Sequence, residues 1–393
     1  MSGWEQVPLG EVLEEDRHRV VVHPDKHYRI AGVLIAGQGL FWRETIDGAA
    51  TKYTHLYRVR ADQLVYRKLT AWEGPITVVP ADFAGAFVSA EFPTFTLDTD
   101  RIVPDYLRLL CRQPWLHDQI KAHSTGTAER RNRLKPEDLK QLVVPLPPPR
   151  DQAAIAAAAA ILQQALDAMD AELGSLARLH HSVLEDRLEA AMPLLLDDLV
   201  QEIRGGRSPK AEDRRATGGE RGVLKVSAIR SGEFRWVEHK ALPADAVMPQ
   251  HALVRKGDVL LNRASGSLKL VASACRVTDT PERPLYLSDK TLRLEPRVGR
   301  VDPDYLVAAL ASRRVREQIE LEAEGSSGQR NVSQDELRAI EVPVVDDQAA
   351  LVAELAALDR VRRTLATQRT ATSRTQHVTV RRLLAGDLRL DTT

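Results

Sequence analysis

The chain has 393 residues and carries 55 basic and 55 acidic side chains, so its formal net charge is zero. At about 150 residues per domain this length predicts two to three domains, and the balanced charge argues against a basic coat protein or an acidic disordered tail. Two cysteines, Cys111 and Cys275, exclude a disulfide scaffold and a four-cysteine zinc site.

Neither the first residues nor any apolar run of the sequence indicates a membrane protein. The first residues lack the apolar core of a signal peptide, and no apolar run reaches the roughly 20 residues of a membrane span. We therefore expect a soluble, cytoplasmic protein. Charge is nevertheless uneven, because residues 151–195 hold 2 basic and 7 acidic side chains whereas residues 346–393 hold 8 and 6.

An internal repeat organises the chain. Pro-Asp-Tyr-Leu occurs at 104–107 and 303–306, and Gln-Ile at 119–120 and 318–319, with the same offset of 199 residues. In the same order follow an Arg-Asn pair, a hydrophobic segment closed by Val-Pro, and Asp-Gln-Ala-Ala at 151–154 and 347–350. Two tandem copies of about 195 residues explain this order better than chance, and two copies are too few for a solenoid.

Each copy begins with a strand-rich part and ends in a long helix. Short apolar runs between Gly and Pro predict strands, and Pro followed by Asp predicts the start of a shorter helix. In chain order the predicted elements are strands at 74–79 and 85–92, a helix at 104–121, a long helix at 151–191, strands at 251–264, 270–277 and 290–296, a helix at 303–321, and a C-terminal helix from 347. Asp151 and Asp347 are predicted to cap the two long helices.

Both long helices carry a narrow apolar stripe. A seven-residue spacing with companions four residues on is the seam of a coiled coil, and about 40 helical residues reach about 60 Å. The seam residues are Ile155, Leu162, Leu166, Met169, Leu173, Leu176 and Val183 in the first helix and Leu351, Leu355, Leu358 and Leu365 in the second. The alternative is that each helix packs on its own domain; the length and the opposite charges favour an intramolecular antiparallel coiled coil between two globular modules.

The catalytic motifs that we sought are missing. The sequence has no phosphate-binding P-loop, no complete dinucleotide-binding glycine motif and no nucleophile elbow. It also lacks the motif with which amino-methyltransferases hold a flipped adenine, since Leu146-Pro147-Pro148-Pro149 has neither its polar nor its aromatic residue. His180 and His181 are adjacent on a helix and cannot form an i, i+4 zinc pair. We predict no metal site and no catalytic residue.

Basic residues with small, polar and aromatic neighbours are the remaining signal. Arg and Lys can bind guanine edges and phosphates, and Asn can read adenine; a solvated surface is the alternative for each residue. The candidate DNA contacts are Arg43, Lys52, Arg58, Lys68, Trp72, Arg130, Arg131 and Arg133 in the first half, and Arg207, Lys210, Lys225, Arg230, Arg263, Ser265, Lys269, Arg330 and Asn331 in the second.

Several segments resemble a known family over essentially the whole chain. The segments include Trp4-x-x-Val7-Pro8, Lys68-Leu-x-Ala-Trp72, Val88-Ser89-x-Glu91, Ser124-x-Gly126, Asp151-Gln152, Ile203 to Pro209, Gly257-Asp258, Ser326-x-Gly328 and Val342-Pro343. In these segments the chain resembles the specificity subunits of type I restriction–modification enzymes. That family usually has Glu-Gln where this chain has Asp151-Gln152 and Asp347-Gln348, and the second half lacks the opening Trp.

The resemblance implies an α+β fold of two tandem target-recognition domains joined by two long antiparallel coiled-coil helices with pseudo-twofold symmetry. The implied division is a first recognition domain at 1–150, a central spacer helix at 151–191, a second recognition domain at 192–346 and a C-terminal spacer helix at 347–393. The two domains would read the halves of an asymmetric, bipartite target in double-stranded DNA.

The resemblance also implies partners. Two adenine methyltransferase subunits would dock on the spacer helices, and restriction or translocase subunits would complete a phage-defence complex. The chain would be non-catalytic, with S-adenosylmethionine, ATP and Mg only in partner subunits, and would bind DNA weakly by itself. Two alternatives stay open: a coiled-coil scaffold that binds proteins through its globular ends, which the near-neutral domains favour, and an enzyme with an unrecognised site.

Overall fold

A computed structural model describes residues 3–125, 132–323 and 330–390. The chain forms two compact units: unit 1 comprises Met1–Asp170 and Gln368–Thr393, and unit 2 comprises Ala171–Thr367. Both division points fall inside long helices, so each unit contains a stretch of both helices.

Unit 1 is built from a run of short strands followed by helices. Its strands are β1 (Gln6–Pro8), β2 (Leu13–Glu15), β3 (His18–Val21), β4 (His27–Val33), β5 (Leu40–Asp47), β6 (His55–Arg58), β7 (Leu64–Tyr66), β8 (Ile76–Val78), β9 (Phe87–Val88), β10 (Thr94–Leu97) and β11 (Val143–Pro145). Its helices are α1 (Pro104–Leu110), α2 (Pro114–His123), α3 (Pro136–Leu139) and the first part of α4 (Pro149–Leu188).

Two sheets form the body of unit 1. The first is antiparallel with the order β2-β10-β7-β8, and the second has the order β3-β6-β9-β4-β5. The main core includes Tyr66 and Phe95 from the first sheet and Tyr106 and Leu107 from α1, all fully buried. Strands β1 and β11 pair beside this core.

Unit 2 repeats the plan with different additions. Its strands are β12 (Met192–Leu195), β13 (Val200–Gly205), β14 (Gly222–Leu224), β15 (Ile229–Arg230), β16 (Glu233–Phe234), β17 (His239–Ala241), β18 (Val259–Asn262), β19 (Ala264–Ser265), β20 (Ala274–Arg276), β21 (Leu285–Tyr286), β22 (Thr291–Pro296), β23 (Arg330–Asn331) and β24 (Glu341–Val344). Its helices are α5 (Leu196–Leu199), α6 (Pro303–Leu310), α7 (Arg313–Glu322), α8 (Gln334–Ala339) and the first part of α9 (Gln348–Ala385).

The sequence repeat is a repeat of topology. The sheet order β13-β22-β18-β20 in unit 2 matches β2-β10-β7-β8 in unit 1, and the pair β12-β24 matches β1-β11. What differs is the inserted part: the five-stranded sheet in unit 1 and the sheet β17-β14-β21 with the pair β15-β16 in unit 2. The predicted α+β class with two tandem strand-rich modules and two long helices is confirmed.

The repeated tyrosines and the first repeated glutamines stabilise the modules. The Tyr106 hydroxyl donates to the Pro145 carbonyl at 2.9 Å, and the Tyr305 hydroxyl donates to the Pro343 carbonyl at 2.8 Å. The Gln119 amide exchanges two bonds of 2.9 Å with the backbone of Val143. Gln318 does the same with Glu341 in unit 2. Each pair ties a helix to the strand that precedes a long helix.

A second repeated glutamine joins each long helix to its unit. The side-chain oxygen of Gln152 accepts from the Val103 N–H at 2.8 Å, and its amide donates to the carbonyls of Arg101 and Pro147 at 2.8 and 2.7 Å. Gln348 accepts from the Asp302 N–H at 2.7 Å in the same way. Gln152 is fully buried, so these bonds are shielded from water.

Three details of the predicted helices were wrong. The shorter helix of each half is broken into two, α1 and α2 in unit 1 and α6 and α7 in unit 2; Pro114 at the start of α2 lacks the N–H that a continuous helix would use. Asp151 does not cap α4, because the helix begins at Pro149 and Asp151 lies in its first turn. Asp347 does cap α9: its carboxylate accepts from the Ala350 N–H at 3.0 Å. Helix α9 ends at Ala385, before Gly386 with its φ of 78°.

Replacing Gln152 with alanine should destabilise unit 1 by about 3 kcal/mol, because one buried N–H and two carbonyls lose their partner. Chemical denaturation of the full chain measures this free energy of unfolding. Gln164→Ala, an exposed position on the same helix, is the matched control and should change stability by less than about 0.5 kcal/mol. Equal effects of the two substitutions would contradict the structural role of Gln152.

Candidate nucleic-acid interface

In unit 1 the fold brings three predicted contacts into neighbouring segments. The Leu134 N–H donates to the Lys68 carbonyl at 3.1 Å, and the Thr70 N–H donates to the Asn132 carbonyl at 3.0 Å. Lys68 is half-buried, whereas Trp72 and Arg133 are exposed. An Arg67–Glu73 ion pair of 2.6 Å holds the turn that carries Trp72. Arg130 and Arg131 lie outside the described residues.

Unit 2 builds the equivalent feature with different residues. Strands β19 and β23 pair Ala264 with Asn331 and Ser265 with Arg330. The Arg263 guanidinium donates to Asn331 Oδ1 at 3.2 Å, and the Val332 N–H donates to the Arg263 carbonyl at 2.9 Å. Four predicted contacts are therefore adjacent. Lys269 is exposed on the short turn that follows β19.

Both arrangements share one construction, which we call the basic clasp. In unit 1 the clasp consists of residues 67–73 and 132–134, and in unit 2 of residues 263–269 and 330–332. In each, the carbonyl of a basic residue, Lys68 or Arg263, receives the N–H of a buried aliphatic residue, Leu134 or Val332. The clasp thus presents exposed basic side chains on a backbone fixed by the core.

Other predicted contacts are dispersed. Arg43 lies on β5, Lys52 follows it in a loop, and Arg58 ends β6; all three are exposed. Arg207 and Lys210 are exposed in the loop after β13. The fold does not join these two groups to the clasps.

Two predicted basic residues of unit 2 have acidic neighbours. Arg230 is exposed on β15 and lies opposite Glu233 in the ladder. Lys225 is half-buried. The pKa of Glu238 is lowered by its hydrogen bond from Ser227 and, among other charges, by Lys225. This proximity of acids reduces the positive field that these two side chains offer to a phosphate.

A patch on the second sheet of unit 1 was missed from sequence. Phe41 and Trp42 are 41% and 36% exposed on β5. Trp42 stacks on Phe83 with ring centroids 4.4 Å apart, and the Arg29 guanidinium lies 3.8 Å from the Trp42 ring centre. The two aromatic residues followed by two charged residues at 41–44 were the available signal.

The long helices run antiparallel within each unit. In unit 1 the Gln376 amide donates to Gln163 at 3.0 Å, and Arg369 forms two bonds with the Asp170 carboxylate, at 3.0 and 2.9 Å. This ion pair lowers the pKa of Asp170. In unit 2 Arg187 pairs with Glu354.

The predicted seam residues differ in burial. Ile155, Leu166, Leu351, Leu355 and Leu365 are buried, whereas Leu162, Met169, Leu173, Leu176, Val183 and Leu358 are half-buried. Leu184 and Leu188, which the heptad count passed over, are also buried. The count failed because the apolar seam is interrupted by His180, after which burial continues at Leu184. Exposed apolar side chains remain on the outer faces, among them Ile161 and Val361, which are 65% and 52% exposed.

Other kinds of site find little support in the described part of the chain. It holds no cluster of three or more metal-binding side chains, and none of its helices combines the length and apolar character needed to cross a membrane. Burial raises the pKa of the Cys111 and Cys275 thiols to about 12, so neither provides a thiolate near neutral pH.

Comparison with known proteins gives a consistent result. No family model matches the chain. It is 32% identical to the specificity subunit of the type I restriction enzyme EcoEI of Escherichia coli over 119 residues, 30% of this chain and 20% of that protein. It is 23% identical to the EcoKI specificity subunit of Escherichia coli strain K12 over 254 residues, 59% of this chain and 54% of that protein. The chain is related to type I specificity subunits.

Solved structures share the fold of this chain. A chain of a type I restriction–modification system superimposes with a TM-score of 0.61 at 18% identity and 99% coverage of both chains. The type I S subunit from M. genitalium gives 0.56 at 13% identity, covering 99% of this chain and 97% of that chain. The matches to the two curated relatives span about a fifth and about a half of their lengths.

His180 lies on the helix seam of unit 2, 3.9 Å from Asp359. Burial, together with the Arg362 and His181 charges, lowers its pKa although Asp359 acts in the opposite direction. His180 therefore binds a proton more readily in the unfolded chain than in the folded chain. The folded state, which keeps His180 neutral, loses free energy of unfolding as pH falls below about 6.5.

The free energy of unfolding should thus depend less on pH, between pH 7.5 and 5.5, in a His180→Gln variant than in the unaltered chain. Urea denaturation at each pH measures the difference. His377→Gln is the control, since that side chain is exposed on the other long helix and is not among the charges that act on His180. Identical pH profiles for the unaltered chain and the His180 variant would contradict the assignment.

Proposed function

We propose that the chain is the DNA sequence-recognition subunit of a type I restriction–modification complex. Units 1 and 2 each read one half of a bipartite, asymmetric target in double-stranded DNA. The observation that carries this proposal is the basic clasp, built the same way in both units but with different side chains, Lys68, Trp72 and Arg133 against Arg263, Ser265 and Arg330. A common frame with different side chains suits the reading of two different half-sites.

The proposal assigns the long helices to spacing and to partner docking. Residues 1–150 and 192–346 are the recognition domains, and residues 151–191 and 347–393 are the spacer segments. Two adenine methyltransferase subunits dock on the helices, and restriction or translocase subunits join them. Support comes from the exposed apolar side chains Ile161 and Val361 and from a groove of about 670 Å³ in unit 1 lined by Ala156, Ala160 and Gln376.

Chemistry belongs to the partners in this proposal. The chain is non-catalytic, and S-adenosylmethionine, ATP and Mg are bound by the other subunits. The chain's part is to orient DNA so that a partner can flip and methylate an adenine. Many of its charges are engaged in ion pairs, so the grip on phosphates in the complex comes largely from the partners.

Reconstitution with the cognate adenine methyltransferase, followed by mapping of methylated adenines, should give one gapped bipartite motif. Arg330→Ala should weaken methylation and act on one half of that motif. Arg297→Ala, outside the clasp of the same unit, serves as the control. An active complex that methylates without sequence preference would refute the proposal and favour a protein-binding scaffold instead.

A matched shortening of both helices tests the spacer role. Deleting residues 171–177 together with 362–368 removes one heptad from each helix, about 10 Å, so the gap between the half-sites should shrink by about three base pairs or binding should be lost. A variant with the exposed Ala171 and Ala177 replaced by glutamine keeps the helix length and should keep the gap. An unchanged gap after the double deletion would rule out the spacer role.

A further inference from the structure

Strand β5 is an exposed edge of unit 1. It lies at the end of the sheet order β3-β6-β9-β4-β5, and residues 41–45 are all exposed. Proteins usually protect such an edge by shortening it or covering it. With β4 it forms an antiparallel ribbon, and a two-stranded ribbon has the width that the major groove of DNA admits.

A β-bulge interrupts this ribbon. Arg29 pairs with Thr45 and Ala31 pairs with Trp42, so Arg43 and Glu44 both lie opposite Ile30. A bulge of this kind breaks the alternation of a strand and re-aims its side chains. Consistent with that, Arg43 and Glu44 line the same concavity although they are consecutive in sequence.

The concavity places this pair over an apolar floor. It has a volume of about 150 Å³, and its lining includes Ile30, Ile46 and Leu56 as well as the Tyr53 ring. Ile30 and Leu56 are buried. An apolar floor lowers the local dielectric, and hydrogen bonds from charged groups are stronger there than in open water.

In the described part of the chain the Arg43 and Glu44 side chains have no partner. Within residues 3–125, 132–323 and 330–390, neither side chain forms a hydrogen bond or an ion pair, not even with the other. The preceding residue is anchored instead, because Trp42 is held between Phe83 and Arg29. A fixed strand thus presents a donor fork and an acceptor side by side and unused.

The order of donors and acceptors selects one kind of base pair. In the major groove a G·C pair presents two acceptors, guanine N7 and O6, and then the donor N4 of cytosine. An A·T pair presents an acceptor, a donor, an acceptor and a methyl group. An adjacent arginine and glutamate match the first pattern, since arginine donates twice and glutamate accepts.

We propose that Arg43 and Glu44 together read one G·C pair in the half-site recognised by unit 1. Arg43 donates to guanine O6 and N7, and Glu44 accepts from N4 of the paired cytosine. This inference rests on the proposed function and adds the base pair read by two named residues. It gives Glu44, which the search for basic residues passed over, a role in specificity.

The test uses the complex reconstituted with its methyltransferase. Methylation rates are measured on duplexes that carry each of the four base pairs at each position of the mapped motif. The unaltered complex should require G·C at one position of one half. Arg43→Ala and Glu44→Ala should each reduce discrimination at that same position by about tenfold or more, with discrimination elsewhere unchanged.

Arg19→Ala is the matched control. Arg19 is an exposed arginine on β3, the opposite edge of the same sheet, and its loss should leave discrimination at every position unchanged. Because Arg43 and Glu44 are exposed, thermal melting of their variants should match that of the control.

Three results would overturn the inference while leaving the proposed function intact. They are a gapped motif without a G·C pair in either half, relaxation at two different positions by the two variants, and an equal loss of rate on all duplexes, which would mark a phosphate contact. Absence of any gapped motif with the unaltered complex would instead overturn the proposed function and this inference with it.

Discussion

A glutamine near the start of each long helix, buried at Gln152 and half-buried at Gln348, fixes how that helix leaves its module. Gln152 satisfies the Val103 N–H and the Arg101 carbonyl, which lie just before α1, and the Pro147 carbonyl, which lies just before α4. Each of these groups would cost about 1–3 kcal/mol if left buried and unpaired, so the helix has one favourable exit direction. Gln348 makes the corresponding bonds to Asp302 and Arg300. The direction of each long helix relative to the module in which it begins depends on this attachment.

Side-chain bonds to the backbone explain why the repeat could be recognised in the sequence. Tyr106, Gln119 and Gln152 recur as Tyr305, Gln318 and Gln348 because each makes the same backbone bonds in both units. Side chains that bond to a backbone cannot be exchanged without leaving a buried group unpaired. The repeat therefore predicted the frame, the tandem modules and the two long helices. It carried no information about the inserted sheets, which differ between the units.

The candidate residues were predicted from basic side chains with small, polar and aromatic neighbours, and only Arg131, Arg330 and Asn331 also belong to the repeated Arg-Asn pair. The pairing of β19 with β23, which brings Arg330 and Asn331 beside Ser265 and Ala264, could not be read from that pattern. The ribbon of β4 and β5 has no repeated counterpart, and its bulge depends on a register shift that no local pattern reports. Arg43 was picked out by its charge alone, and Glu44 was passed over because the search considered only positive charge.

The neutral net charge becomes informative once the pairs are known. Arg369 with Asp170 and Arg187 with Glu354 join the helices within their units, and Arg293 with Asp258 is a nearly buried pair inside unit 2. Such pairs fix the positions of the elements they join but add little affinity for DNA phosphates, because each cation is already neutralised by its partner. A surface of this kind attracts DNA weakly at long range. In the proposed recognition role, selectivity would then come from charged side chains that the described part of the fold presents unpaired on fixed backbone, and Arg43 and Glu44 on the bulge of β5 meet that description.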